Sequence, residues 1–258
     1  MFRGLYTAWT GMANEQKRLD VISNNMANSN TVGYKDEKVA SQAFDQVLGI
    51  KIRDGSQAYH NECIGSLSLG GKIGETYTDY SQGSVRQTGG TYDLALSGSG
   101  FFTVSVTDKA GEVHTRYTRD GRFHLTKDGL LVDADGNAVQ GQNGNITIDP
   151  SSKNVSISAT GQITADGDLV DTLNIVDFED YDYLKKYGDT MYEPVDGATT
   201  KDAEGEILQG YTEQSNVNVV REMVDMITIT RAYEASQKVI HSYDSMLDKS
   251  VNQVGALK

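Results

Sequence analysis

Residues 23–35 read SNNMANSNTVGYK, and how this stretch is read decides the fold. Four asparagines, Asn24, Asn25, Asn28 and Asn30, stand among small and apolar residues. Asn competes with the helical backbone for hydrogen bonds and favours helix ends and turns. Gly33 then supplies a position free for positive φ, and Tyr34 and Lys35 begin extended chain. Upstream, Leu5, Met12, Leu19 and Met26 recur every seven residues, with Ala8 and Ile22 on the same stripe. This pattern predicts a helix from about Phe2 to Asn28 whose seam needs a partner helix. Gly4 and Gly11 weaken that helix in isolation.

The partner is expected at the other end of the chain. Ser215, Asn216, Val217 and Asn218 form a polar start, with Asn218 the preferred N-cap. A helix is predicted from Val219 to about Val254, with Gly255 as its stop. Val220, Val224 and Ile227 are spaced as a seam. The seam then moves to Ala232, Ala235, Val239, Tyr243 and Met246, a slip that resembles a stutter. Pairing the two helices leaves Phe2, Trp9, Val21, Met223, Ile229, Ile240 and Leu247 to face other molecules.

Between the ends the periodicity shortens. Phe44, Val47, Leu48, Ile50 and Ile52 form one apolar cluster. Asp54-Gly55, Gly65, Gly70-Gly71 and Gly74 then break the chain into extended pieces. From Ser84 to Ile175, alternating runs are separated by Asp-Gly turns, and Asp120-Gly121 reads as a hairpin turn. The expected fold class is α+β. The N- and C-terminal helices pair as a coiled coil, with a large insertion of short antiparallel strands, sandwich- or barrel-like, between them. The expected domains are a helical one, 1–33 plus 215–258, and a β-rich one, 84–203. Extended connections occupy 34–83 and 204–214.

Composition narrows the function. The 258 residues carry a net charge of −13, which argues against nucleic acid or an anionic membrane as partner. The segment from Asp166 to Glu206 holds 13 acidic against 3 basic residues, and within it Glu179 to Glu206 reads as loops and edge structure. The one cysteine, Cys63, allows no intrachain disulfide. No apolar run is long enough to span a membrane, and no secretory signal pattern opens the chain.

Candidate chemistry is sparse. Asp133, Asp135 and Asn137 alternate as calcium ligands would, but Ala138 and Gly144 stand where such a loop needs Gly and Glu. A β-turn is the simpler reading. Gly98-Ser99-Gly100 lacks the third glycine and following helix of a phosphate loop and reads as a bulge or tight turn. His60, His114, His124 and His241 are scattered, and only His114 and His124 are close enough to meet, across a hairpin. No catalytic, cofactor or metal site and no small-molecule substrate are expected.

Several of these stretches together resemble one family. Asn24, Asn25, Asn28, Thr31, Gly33, Tyr34 and Lys35 are similar to the N-terminal signature of bacterial flagellar basal-body rod and hook proteins, with Met26 where the usual residue is Leu. Gln214 to Asn218, with Met226-Ile227 and Arg231 to Glu234, resembles the family's C-terminal motif. Gln82 to Thr88, Asp93 to Leu96, Gly100 to Phe102 and Tyr117 to Gly121 fit its middle. The resemblance implies an axial subunit that stacks helically with its own copies and with other rod and hook proteins. It implies export by the flagellar apparatus without a cleaved signal, into the basal body. The distal-rod type is favoured, with the proximal-rod type as the alternative. The seam residues Leu5, Met12, Leu19, Ile22, Met26, Val220, Val224, Ile227, Val239 and Met246 would form the subunit and helix interfaces. Two other classes stand beside this reading: a β-rich adhesin dimerised by its helices, and a cell-wall glycan hydrolase.

Overall fold

The computed structural model describes residues 2–51, 62–108 and 111–254. The expectations on Ile52, Asp54, Gly55, His60 and Gly255, and on the side chains of Phe2, Ile50 and Cys63, fall outside the described residues. The chain forms two compact units. One holds residues 1–26, 37–78 and 218–258, and the other holds 27–36 and 79–217.

The helical unit contains α1 (Phe2–Ala27) and α2 (Val219–Lys249). It also contains β1 (Asp36–Ala43), β2 (Val47–Lys51), β3 (Glu62–Leu67) and β4 (Gly71–Asp79). β1 pairs with β4, and β2 pairs antiparallel with β3. One polar edge of α1 is tied to the extended segments. The Thr7 hydroxyl donates to the Leu69 carbonyl at 3.3 Å, and the Asn14 amide donates to Ser41 Oγ at 2.9 Å. Gly70 packs on Thr10 so closely that a Cβ there would overlap the hydroxyl. Leu5, Met12, Leu19, Ile22 and Met26 are all half-buried. Trp9 is exposed and lies 5.9 Å from the exposed Tyr6 ring, centroid to centroid.

α2 begins as expected: the Asn218 side chain accepts from the Arg221 amide at 3.2 Å. It ends in a π-turn, Ser250–Val254. Its covered face differs from the expected one. The covered positions are Val219, Glu222, Met226, Ile229, Tyr233, Ser236, Ile240, Tyr243 and Leu247. Their spacing alternates three and four without a break, which is an unslipped heptad. There is no stutter. Ile229 is 2% exposed, whereas Val220, Val224 and Ile227 are 73%, 56% and 54% exposed. Glu222 and Ser236, polar residues at two covered positions, hide the true stripe from a hydrophobicity count. Two close approaches relate the helices: Gly4 abuts the Tyr243 ring, and Gly11 faces Ser236. Sequence number rises along one helix as it falls along the other, so they run antiparallel at these points.

The second unit is built on β7 (Phe101–Thr107), which is buried from Phe101 to Ser105. Alternate side chains of a strand point to opposite faces. Phe102 and Val104 therefore enter a large core with Leu94, Leu96, Phe123, Leu131, Val139, Ile146, Ile148 and Ile163. Phe101 enters a smaller aromatic core with Phe178, Leu184 and Tyr192, flanked by Tyr80, Tyr117 and Tyr181. β5 (Val85–Gln87) and β6 (Leu94–Ser97) precede β7, and β8 (Val113–Thr118) follows it as its antiparallel neighbour. β9 (His124–Leu125), β10 (Leu131–Val132), β11 (Ala138–Gly141) and β12 (Gly144–Asn145) extend the other side. β13 (Val155–Ile157), β14 (Gln162–Ala165) and β15 (Asp168–Thr172) form a separate three-stranded sheet. β16 (Ile175–Phe178) returns to β7 and also pairs with β19 (Thr200–Asp202).

Two expectations change here. The acidic segment expected as loop and edge contributes the hairpin of β17 (Leu184–Tyr187) and β18 (Met191–Pro194), and β18 joins the main sheet beside β8. Leu184, Met191 and Tyr192 are buried there, so burial of one face outweighed the polar composition. Asp120-Gly121 does not close a hairpin, because β9 pairs with β10 rather than β8. A side chain at Gly121 would collide with the Leu94 carbonyl, and the Gly121 carbonyl accepts the Leu94 amide at 2.9 Å. His114 and His124 accordingly sit opposite Val106 and Val132, not each other. The stretch 204–214, expected as extended chain, holds β20 (Glu206–Gln209) and β21 (Tyr211–Glu213), which pair with β6 and β5.

The face assignment of α2 has a direct test. Ile229→Ala is expected to lower unfolding stability by about 2 kcal/mol, as for a buried aliphatic truncation. Val220→Ala is expected to change it by less than about 0.5 kcal/mol, as for a surface site. Urea unfolding of the purified chain followed by helix circular dichroism reads both.

Candidate functional site

The residues singled out around the two helix ends meet at one buried polar knot inside the second unit. Glu213, the last residue of β21, is fully buried. A buried carboxylate is costly unless charge and hydrogen bonds compensate it. Glu213 has both. Lys35 Nζ donates to its Oε1 at 2.5 Å, the Gly83 amide donates to the same oxygen at 2.9 Å, and Arg119 Nη1 donates to Oε2 at 3.2 Å. Lys35 and Arg119 are themselves buried. Lys35 also donates to the Ser81 carbonyl at 2.8 Å, and Arg119 Nη2 donates to the Gly98 carbonyl at 2.9 Å. Burial pulls the Lys35 ammonium below its ordinary pKa, and the Glu213 carboxylate opposes that shift.

The asparagines extend the knot. Asn216 Oδ1 accepts the Asp36 amide at 2.8 Å, and its amide group donates to the Asp79 carbonyl at 2.8 Å. Gly33 donates its amide to the Glu213 carbonyl at 2.9 Å. It holds φ of +71°, and a Cβ there would collide with the Arg119–Asp120 backbone, so both conformation and space require glycine. Tyr34 is fully buried beneath the Lys186 ammonium, which lies 4.1 Å from the ring centroid. Asn28 and Thr31 form the turn after α1, with Thr31 Oγ1 donating to Asn28 Oδ1 at 3.0 Å. Ser215 Oγ accepts the Val217 amide at 3.3 Å.

Two asparagines of the motif act in the helical unit instead. Asn25 is buried on α1 and mimics a strand neighbour, donating to the Glu37 carbonyl at 2.8 Å and accepting its amide at 3.2 Å. Asn218 caps α2. Asn24 is exposed. The helix residues Leu5, Met12, Leu19, Ile22, Met26, Val220, Val224, Ile227, Val239 and Met246 lie on the two helices and take no part in the knot.

Glu213 is the residue that sequence reasoning missed. Its cationic partners lie 178 and 94 positions away in the chain. Lys35 and Arg119 stand inside recognisable motifs, but nothing local marks them as one ion cluster. The turn reading of Asp133 holds: its carboxylate accepts the amides of Asp135 and Asn137 at 2.9 and 2.8 Å.

A second buried carboxylate, Asp177, stands on β16 next to Phe178 of the aromatic core. Tyr181 donates to it at 2.8 Å, and Lys201 Nζ lies 3.1 Å from it. Burial pushes Asp177 up, but hydrogen bonds from Tyr181, Lys201, the Phe178 amide and Ser99 outweigh it and hold the group below its ordinary value of 3.8. Burial and this carboxylate push the Tyr181 phenol up to about 12.

Three family models match the chain. The one described as flagella basal body rod protein matches residues 5–35, the flagellar hook protein FlgE/F/G D1 domain matches 95–165, and the flagellar basal body rod FlgEFG protein C-terminal matches 208–254. The chain is 34% identical to the flagellar basal-body rod protein FlgG of Bacillus subtilis, over 98% of this chain and 99% of that protein. It is 36% identical to FlgG of Caulobacter vibrioides, over 95% and 97%. It is 32% identical to FlgF of the same organism, over the full length of both.

Two measurements test these carboxylates. Glu213→Gln leaves two buried cations facing an amide and is expected to cost about 3–5 kcal/mol in chemical unfolding, the range for breaking a buried ion pair. Asp177 stabilises the fold fully above pH 3.8, and that contribution is lost as pH falls through its lowered native value. Asp177→Asn is therefore expected to flatten the dependence of stability on pH below 3.8, measured as urea midpoints across an acid series.

Proposed function

The chain belongs to the flagellar basal-body rod protein family, and from that premise we propose how this structural rod subunit of the basal body assembles. Copies stack helically, with the terminal helices forming the inner wall of a tube. The helices pair as an antiparallel coiled coil within each chain. Neighbouring chains then meet through the apolar side chains that the pair leaves uncovered. Other rod and hook proteins continue the same stack at its ends. The chain reaches this place through the flagellar export apparatus without a cleaved signal. Among the described residues no helix is long and apolar enough to cross a membrane.

One observation carries the proposal. Val220, Met223, Val224 and Ile227 form a stripe at helical spacing, all about half exposed or more, on a helix whose opposite face is already covered. A contiguous exposed apolar stripe marks an interface, and covering it gains free energy in proportion to the area removed from water. A head-to-tail contact between unlike surfaces that does not close into a ring produces a helical filament. The relatives include both FlgG and FlgF types, and both support a rod position. The distal-rod assignment is favoured by the long stretch between Phe44 and Gly83.

Leu19→Asp and Ile227→Asp separate the two layers of this assembly. Leu19→Asp is expected to disturb helix pairing and to abolish flagella. Ile227→Asp is expected to leave helix content unchanged and still abolish flagella, because it strikes only the outward stripe. Circular dichroism of the purified variants and electron microscopy of complemented deletion cells provide the readouts. Full-length filaments on the Ile227→Asp strain sink the stripe as an interface.

A further inference from the structure

Arg116, on β8, is a buried cation without a counter-charge. It is 5% exposed, and its Nε is shut off from solvent and donates to no acceptor. Among the described residues its guanidinium forms no ion pair, and what covers it is the Tyr187 ring, whose centroid lies 3.1 Å from Cζ. The other arginines of this stretch are paired: Arg119 holds Glu213 at 3.2 Å, and Arg122 holds Asp120 at 2.8 Å. A buried charge is costly unless it is paired and hydrogen-bonded, and an aromatic face offsets only part of that cost.

Strand register places this charge. Residues directly opposite across antiparallel strands share a face. Arg116 is opposite Val104, Thr118 is opposite both Phe102 and Met191, and Met191 is opposite Tyr187. Arg116 and Tyr187 therefore stand on the face that the large core lines, on the three strands β8, β18 and β17 that end the main sheet. Lys185 and Glu193 follow on the same face, opposite each other, and Glu193 forms no ion pair with Arg116. Tyr187 is 44% exposed, so this margin of the sheet meets solvent. Tyr and Arg together are the residue types that carry most binding energy at protein interfaces. A guanidinium can stack its face on a ring while its edge grips a carboxylate in two parallel hydrogen bonds.

The chain itself supplies the complementary charge. Residues 27–36 and 79–217, the unit that holds Arg116, contain 24 acidic and 11 basic residues. Every copy thus presents carboxylates in excess and one buried guanidinium that lacks a carboxylate. We propose that Arg116, held beneath Tyr187, receives an Asp or Glu side chain from a second copy of this chain when the subunits assemble. The proposal rests on the rod reading above and adds to it a polar contact made by the β-rich unit. In the free subunit the charge is left unpaired, and assembly removes that cost. Tyr187 is the positioning residue: it holds the guanidinium by one face and leaves its edge to the incoming carboxylate.

Arg116→Met keeps the length of the side chain and removes its charge. In the purified chain the urea midpoint is expected to stay level or rise, because an unpaired buried charge is gone. In deletion cells of the bacterium that encodes the chain, the same variant is expected to lose most flagella, counted by electron microscopy. A lowered midpoint or a failure to fold makes Arg116 a support of the subunit's own fold and overturns the proposal, and so do flagella in normal number. In a second arm, Tyr187 is replaced by photoreactive benzoylphenylalanine in a chain expressed beside the parent, and isolated basal bodies are irradiated. A product of twice the chain's mass is expected, with the link mapped by mass spectrometry to a peptide of this chain that contains Asp or Glu. Absence of that product, or a link to a different protein alone, overturns the second copy as the source of the carboxylate. Flagella on cells that lack the whole gene would instead sink the rod reading, whatever the variants do.

Discussion

A carboxylate with no access to water sets the terms for this molecule. Glu213 is stable in the interior only while Lys35, Arg119 and the Gly83 amide all reach it. Each of those groups comes from a different part of the chain, and each brings its own segment into register. Lys35 fixes the chain after α1, Gly83 the chain before β5, and Arg119 the end of β8. Replacing such a cluster by apolar residues often leaves stability unchanged, so its retention points to geometry rather than to strength.

Glycine serves the same geometry. Gly33, Gly83 and Gly121 are positions where any side chain would overlap a backbone group of a distant segment. The knot and its neighbourhood are therefore assembled from backbones in close approach, with side-chain charge only at the centre. The sheet core around β7 is of another kind. Its two faces are filled by alternating aromatic and aliphatic side chains, and packing rather than charge holds it.

The two helices show how a stripe can be misassigned without misplacing the helix. Both helices were legible from spacing, and so was the Asn218 cap. On α1 the expected seam falls on half-buried positions. On α2 the largest apolar residues near the start, Val220, Val224 and Ile227, point outward, and the covered stripe contains Glu222 and Ser236. A hydrophobic count presumes that apolar means inward. In a rod subunit that assembles with other rod and hook proteins, apolar residues are divided between the inside of the subunit and its contacts, and the two stripes compete for one reading.

The sequence alone determined the element types at both ends, the β-rich middle, the turn at Asp133 and the glycine at position 33. Each of these rests on local spacing or local backbone preference, which acts within a few residues. It also determined the family, because the motifs are short and ordered. Only the tertiary structure decided which face of α2 is covered and that Asp120-Gly121 closes no hairpin. It also placed the acidic segment in the main sheet and showed Glu213 to be the hub of the helix junctions. The partners of Glu213 lie 178 and 94 residues away, and in each of these cases burial and pairing between separate segments outweigh local propensity.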